Sequence, residues 1–203
     1  MRFGPVPLTD ALGAVLAHSM KLPDGTLKKG VVLTSADLQR LAKAGTPTVV
    51  TARLDTDDVP EDGAAQRVAQ ALAGAGVEIG AAVTGRVNLY ALGAGLMLLD
   101  AARIHAANRV HEGLTIATLH PDTPVGDGQM LATVKIIPYA VPVAALAEVV
   151  RVLSSPDAVQ VALWKGLRVG LVLTQTATTA ASVRAKMRRA VLDRLTPLAA
   201  TLV

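Results

Sequence analysis

Five side chains in this sequence stand where their chemistry would hold an anion: Lys28, Lys29, Arg86, Asn88 and Lys135. "LKKG", residues 27–30, sets two ammonium groups beside a turn glycine. "GRVNLYALGAGL", residues 85–96, sets the Arg86 guanidinium next to Gly85, with Asn88 two positions on. A planar guanidinium offers paired N–H donors that match phosphate oxygens, and an ammonium offers a point charge. The alternative for both loops is a turn glycine flanked by solvated cations. Lys135 lies inside the apolar run "ATVKIIPYAVP", residues 132–142. Strand residues alternate faces, so Val134 and Ile136 point one way and Lys135 the other. Its ammonium either snorkels to the surface or enters a cleft. Neither glycine loop is a dinucleotide fingerprint, because no strand leads into G-x-G-x-x-G with a helix after it, and neither is a P-loop.

Other chemistry has less support. His18, His105, His111 and His120 are dispersed, and no His-Glu-x-x-His or comparable metal spacing occurs. Ser19, Ser35, Ser154, Ser155 and Ser182 all lie outside any Gly-x-Ser-x-Gly turn. The count of zero Cys excludes thiolate catalysis and thiolate zinc sites. Asp55, Asp57 and Asp58 in "LDTDDVPEDG" offer weak Mg²⁺ ligands in an acidic exposed loop, with no glycine-rich phosphate cradle beside them. Much of the net charge of +4 sits near the C-terminal end, where Arg184, Lys186, Arg188, Arg189 and Arg194 face the single acid Asp193. Such a helix attracts an anionic partner or is simply a solvated face. No aromatic residue interleaves with these charges, so nucleic acid is not the expected partner.

These groups need elements to position them. The chain is 51% hydrophobic but only 2% aromatic, so its core must be Ala, Val and Leu. No apolar run reaches the length of a bilayer-spanning helix, and the expectation is a cytoplasmic protein without a membrane partner, since Pro and Asp in "MRFGPVPLTD" interrupt the place of a signal peptide's apolar stretch. In "LTSADLQRLAKAGTPTVVTARL", Thr34 or Ser35 caps a helix, Asp37 sits in its first turn, Gly45 stops it, and a β-branched strand follows. Glu61 and Asp62 favour the start of a helix over "AAQRVAQALAGAG". A strand–turn–strand is predicted around Thr84 and Gly85. "GLMLLD", "LTIATLH" and "MLATVKII" read as strands; "AARIHAANRVH" and "VAALAEVVRVLSS" read as helices. "RVGLVLTQT", residues 168–176, reads as a near-continuous apolar strand covered on both faces, followed by a basic amphipathic helix capped by Thr178 or Thr179. Roughly seven strands and four or five helices make a mixed chain of the α+β or α/β kind, with a composition shift at Ser154, Ser155 and Pro156.

The order of these segments resembles a known family. In "LKKGVVLTSADLQRLAKAGTPTVVTARL", Gly30, Leu33, Thr34, Asp37, Leu38 and Gly45 hold the places of a G-x-x-L-[ST]-x-x-[DE]-[IL] helix that leads into a V-x-V strand in molybdenum insertases. "GLRVGLVLTQT" and "SVRAKMRRAVLDRL" are similar to the opening strand and helix of the molybdopterin-binding domain. Together with "TGRVNLYALGAGLMLLD" and "GQMLATVKIIPYAVP" they resemble a bacterial molybdopterin-binding protein family, some of whose members are joined to a nucleotidyltransferase. The resemblance implies an insertase-like mixed αβ region over residues 1–155. It implies the first strand–helix unit of a doubly wound molybdopterin-binding domain over residues 156–203, so the chain is expected to be a truncated member. The implied function is molybdenum cofactor biosynthesis or handling, with molybdopterin or its nucleotide form as ligand and Mg²⁺ as a further candidate. The alternative is a non-catalytic interaction or dimerisation module that docks a nucleotidyltransferase or apo-molybdoenzyme. A homo-oligomer is expected in either case, and no catalytic activity is expected of this chain alone.

Overall fold

Thr34 caps the first helix as its type predicts. Its Oγ1 accepts the Asp37 backbone N–H at 3.3 Å, while Asp37 Oδ2 accepts the Thr34 N–H at 3.1 Å. This reciprocal capping box satisfies two N–H groups that the helix cannot, a contribution of about 1 kcal/mol. At the other end Gly45 takes φ 70° and turns the chain into the next strand.

The computed structural model describes residues 1–154 and 158–203. The first unit runs β1 (Arg2–Pro7), β2 (Val15–Leu16), β3 (Met20–Leu22), β4 (Gly25–Leu27), α1 (Ser35–Lys43) and β5 (Thr48–Arg53). A second, larger unit follows: β6 (Asp58–Pro60), α2 (Glu61–Leu72), β7 (Val77–Ile79), β8 (Arg86–Ala91), β9 (Gly95–Leu99), α3 (Ala101–Asn108), β10 (Leu114–Thr118), β11 (Pro124–Val125), β12 (Met130–Ile136), β13 (Ala140–Pro142), α4 (Val143–Leu153) and β14 (Val159–Leu163). A tail holds β15 (Arg168–Val169), α5 (Ala181–Leu195) and β16 (Thr201–Leu202). The protein is thus mixed α and β, and it contains more strands than the sequence reading expects because many are only two or three residues long.

Each of the first two units has its own core. Ala11, Leu16, Leu27, Leu33, Leu41 and Val49 pack together in the first, under the antiparallel sheet β1-β5-β2. The second centres on the antiparallel sheet β10-β12-β8-β7. Val87 and Leu89 of β8, Val134 and Ile136 of β12, and Leu114 and Ile116 of β10 are buried on one face. Helix α2 lies in the same core through Ala64, Ala65, Val68, Ala69 and Leu72, a stripe at helical spacing. The strands' intervening residues form the opposite face, and this alternation is what places the cations.

The tail departs from the sequence reading. Of the predicted strand over residues 168–176, only Arg168 and Val169 form β15; Val172 is 88% exposed. Strand β15 pairs in parallel with β16, so α5 connects two short parallel strands within the tail itself. Neither Thr178 nor Thr179 caps α5: Ala180 occupies the cap position, and Thr179 Oγ1 instead accepts the Thr176 N–H at 3.0 Å. Helix α5 buries no residue, so it is a solvated basic helix rather than an amphipathic one. An apolar run becomes a strand only where another backbone meets its N–H and C=O groups, and here two residues meet one. The expected boundary at Ser155 and Pro156 lies outside the described residues. Strand β14 after it pairs with β9 and brings Val159 and Val161 into the larger core.

Total accessible surface is 11861 Å², well above the roughly 9,000 Å² of a compact monomer of this mass, as the exposed tail requires. Deleting residues 166–203 is therefore expected to move the thermal midpoint of the remaining chain by less than about 3 °C, read by calorimetry. A fall beyond about 10 °C would mean that the tail stabilises the body.

Candidate functional site

Lys29, Arg86 and Lys135, far apart in the chain, line one cleft of about 580 Å³ between the first and second units. Each is delivered by a different device. Lys29 follows β4 on a loop whose backbone is pinned: the Lys29 N–H donates to Ser19 Oγ at 2.9 Å and the Gly30 N–H to the Leu16 carbonyl at 2.8 Å. Arg86 follows a tight turn at Thr84 and Gly85, whose φ values of 48° and 72° are both positive. That is the requirement of a type I′ hairpin turn, closed here by Arg86 N–H to the Val83 carbonyl at 3.1 Å and Val83 N–H to the Arg86 carbonyl at 2.9 Å. Lys135 sits on β12 directly across from Arg86 on β8.

This cross-strand pair is the central electrostatic feature. Like charges directly opposite one another destabilise a sheet. Among the described residues, neither Arg86 nor Lys135 has a carboxylate within 4 Å to neutralise it, and Lys29 has none either. Of the two readings open for Lys135, both hold in part: its side chain lines the cleft and remains exposed to solvent. An anion placed among these groups relieves repulsion as well as gaining attraction.

Two expected site residues are elsewhere. Lys28 does not line the cleft. Asn88 shares the polar face with Arg86, but its Nδ2 donates to the Tyr90 hydroxyl at 3.1 Å. Thr133, opposite Asn88 in register, carries a buried Oγ1 without a hydrogen-bond partner among the described residues.

Glu61 and Tyr139 also line the cleft, and neither was singled out from sequence as a site residue. Glu61 begins α2 and reads locally as an ordinary first-turn acid. Its neighbour Asp62 is engaged, with Oδ1 accepting the Gly85 N–H at 2.7 Å. Burial, and then Asp62 beside it, pushes the Glu61 carboxyl above the usual range, while Lys29 opposes the shift. Tyr139 donates its hydroxyl to the Ala17 carbonyl at 2.8 Å and stacks on Phe3 with ring centroids 6.4 Å apart, tying the two units together at the cleft. Burial raises its phenol pKa, and Glu61 adds to the effect. The only available signal was its rarity, since the chain has 2 Tyr.

A second cavity of about 530 Å³ lies beyond Ile137, lined by Met1, Asp58, His111, Glu112 and Pro138 among others. Its groups are largely engaged. The Met1 ammonium lies 2.8 Å from Asp58, and His111 Nδ1 accepts the Gly113 N–H at 3.0 Å. The acidic segment expected to be a solvated loop thus contains β6 and a carboxylate, Asp58, whose side chain is only 3% exposed. No three His, Asp or Glu side chains among the described residues converge to hold a metal ion. The cation-rich cleft, with Glu61 as its single carboxylate, does not fit Mg²⁺. No helix of the described residues is long and apolar enough to cross a membrane.

A family model described as a domain of unknown function (DUF8806) matches residues 5–53. The match ends with β5, and the whole first core falls within it. No curated protein and no solved structure matches the chain.

Proposed function

We propose that the chain binds a phosphorylated ligand in the cleft between its first two units, and that the ligand is molybdopterin or its nucleotide form, in molybdenum cofactor biosynthesis or handling. The observation that carries the anion reading is the convergence of Lys29, Arg86 and Lys135, none of which has an ion-pair partner among the described residues. Molybdopterin as the ligand rests on the segments that resemble the insertase and molybdopterin-binding families. Support from the fold is limited to the tail, where β15, α5 and β16 follow one another as strand, helix and parallel strand. Charge-assisted hydrogen bonds to a phosphate contribute about 1.5–3 kcal/mol each, reduced where solvent reaches them.

Isothermal titration with molybdopterin tests this reading. Binding is expected to saturate and to weaken as salt rises. Arg86→Ala is expected to reduce affinity about tenfold, or about 1.4 kcal/mol, while moving stability by less than about 0.5 kcal/mol. Unchanged affinity would return Arg86 to a solvated turn cation.

A second reading, an interaction or dimerisation module for a nucleotidyltransferase or apo-molybdoenzyme, is favoured by the tail. Leu167, Val172, Val183, Met187 and Val203 are all exposed there. Sedimentation of the chain with and without residues 166–203 separates self-association through the tail from association elsewhere.

A further inference from the structure

The anion cleft contains one group that an anion does not explain. Glu61 places a carboxylate among three cations, and nothing among the described residues donates a hydrogen bond to it. A Cβ built on Gly85 would lie 2.8 Å from Glu61 Oε2, so the carboxylate sits against the turn that presents Arg86. The adjacent Asp62 has its donor in the Gly85 N–H, whereas Glu61 has none among the described residues. The cost of half-burying this carboxylate is met in part by Lys29, but its oxygens remain acceptors open to N–H donors from a ligand.

Building on the anion reading above, we infer that Glu61 is a specificity residue that accepts paired N–H donors from the ligand's heterocycle, while Lys29, Arg86 and Lys135 hold its phosphate. The class of ligand is a phosphorylated ring with a 2-amino-4-oxopyrimidine edge. A carboxylate's two oxygens match the adjacent ring N–H and exocyclic amine of that edge. The edge is neutral, and this matters because a cationic amine would meet three like charges. Tyr139 and Ile137 supply a partly apolar wall for the ring. The cleft's 580 Å³ falls in the range that encloses small ligands. Pterins and guanine nucleotides share this edge, so their common chemistry is assigned.

Titration of the full chain with 5′-GMP, 5′-IMP, 6-hydroxymethylpterin monophosphate and inorganic pyrophosphate tests the assignment. IMP differs from GMP only in lacking the exocyclic amine. The native chain is expected to prefer GMP over IMP about tenfold, because a polar site rejects an analogue that leaves its acceptor unpaired. Glu61→Gln is expected to remove that preference while leaving pyrophosphate affinity equal or higher. Tighter binding of the pterin than of GMP identifies the ring as a pterin, and the reverse order identifies a nucleotide; both support the edge. Equal affinity for GMP and IMP in the native chain, or a preference that survives Glu61→Gln, overturns the role of Glu61 and leaves the anion reading intact if pyrophosphate binds. Failure of all four probes to bind overturns both.

Discussion

Replacing both Arg86 and Lys135 with alanine is expected to weaken molybdopterin binding by about 100-fold, or about 2.7 kcal/mol, with folding unimpaired. The two side chains face each other across β8 and β12, and no carboxylate pairs with either among the described residues. Their mutual repulsion in the free protein is removed by the double change, so the thermal midpoint should hold or rise. The double effect should also differ from the sum of the single effects, because neighbouring charges that share one ligand are coupled. Titration at two salt concentrations gives a second readout: loss of two cations should flatten the salt dependence. Lys28→Ala serves as the control, since Lys28 does not line the cleft. A double variant that binds as the native chain does, with an unchanged salt slope, would show that the anion sits elsewhere.

A large effect on stability is expected from Gly85→Ala, about 2–4 kcal/mol of destabilisation. Gly85 has φ 72°, which alone costs a side-chain-bearing residue about 1–2 kcal/mol. An added Cβ would also lie 2.7 Å from the Ile136 carbonyl oxygen and 2.8 Å from Glu61 Oε2. The carboxylate could swing away, but the Ile136 carbonyl belongs to the backbone of β12. The same glycine accepts the Ile136 N–H at 2.7 Å and donates to Asp62 at 2.7 Å, so any shift strains both bonds. The thermal midpoint should fall by about 5–15 °C, and ligand affinity should fall with it because the turn presents Arg86. Gly128→Ala is the matched comparison. It has φ 69° but nothing within 4 Å of its Cβ position, so it should cost only the backbone term, about 1–2 kcal/mol. Equal losses in the two variants would mean that the close approach to β12 contributes nothing.

Local signals in the sequence specified much of the secondary structure. Thr34 or Ser35 is legible as a helix cap with Asp37 in the first turn because the bonds involved span only three residues, and the structure settles on Thr34, with Asp37 completing a capping box. The alternation in "MLATVKII" separates Val134 and Ile136 from Lys135 because a pleat inverts the face at each residue. The turn at Thr84 and Gly85 is legible because two positive φ values need a residue such as glycine. The three cations that line the cleft were each visible as candidates beside a turn or within an apolar strand. Their company was not, because Arg86 and Lys135 become neighbours only through the register of β8 against β12. Glu61 looked like any acid at a helix start, since only the packing of α2 beside the turn leaves its carboxylate half-buried and without a donor among the described residues. The tail shows the converse limit. "RVGLVLTQT" has the composition of a buried strand, yet only Arg168 and Val169 pair, and Val172 is exposed. Composition by itself determined which residues would favour an extended chain and which would carry charge. Tertiary structure alone decided which strands found partners and which charges met, because backbone pairing and side-chain convergence depend on segments distant in the chain.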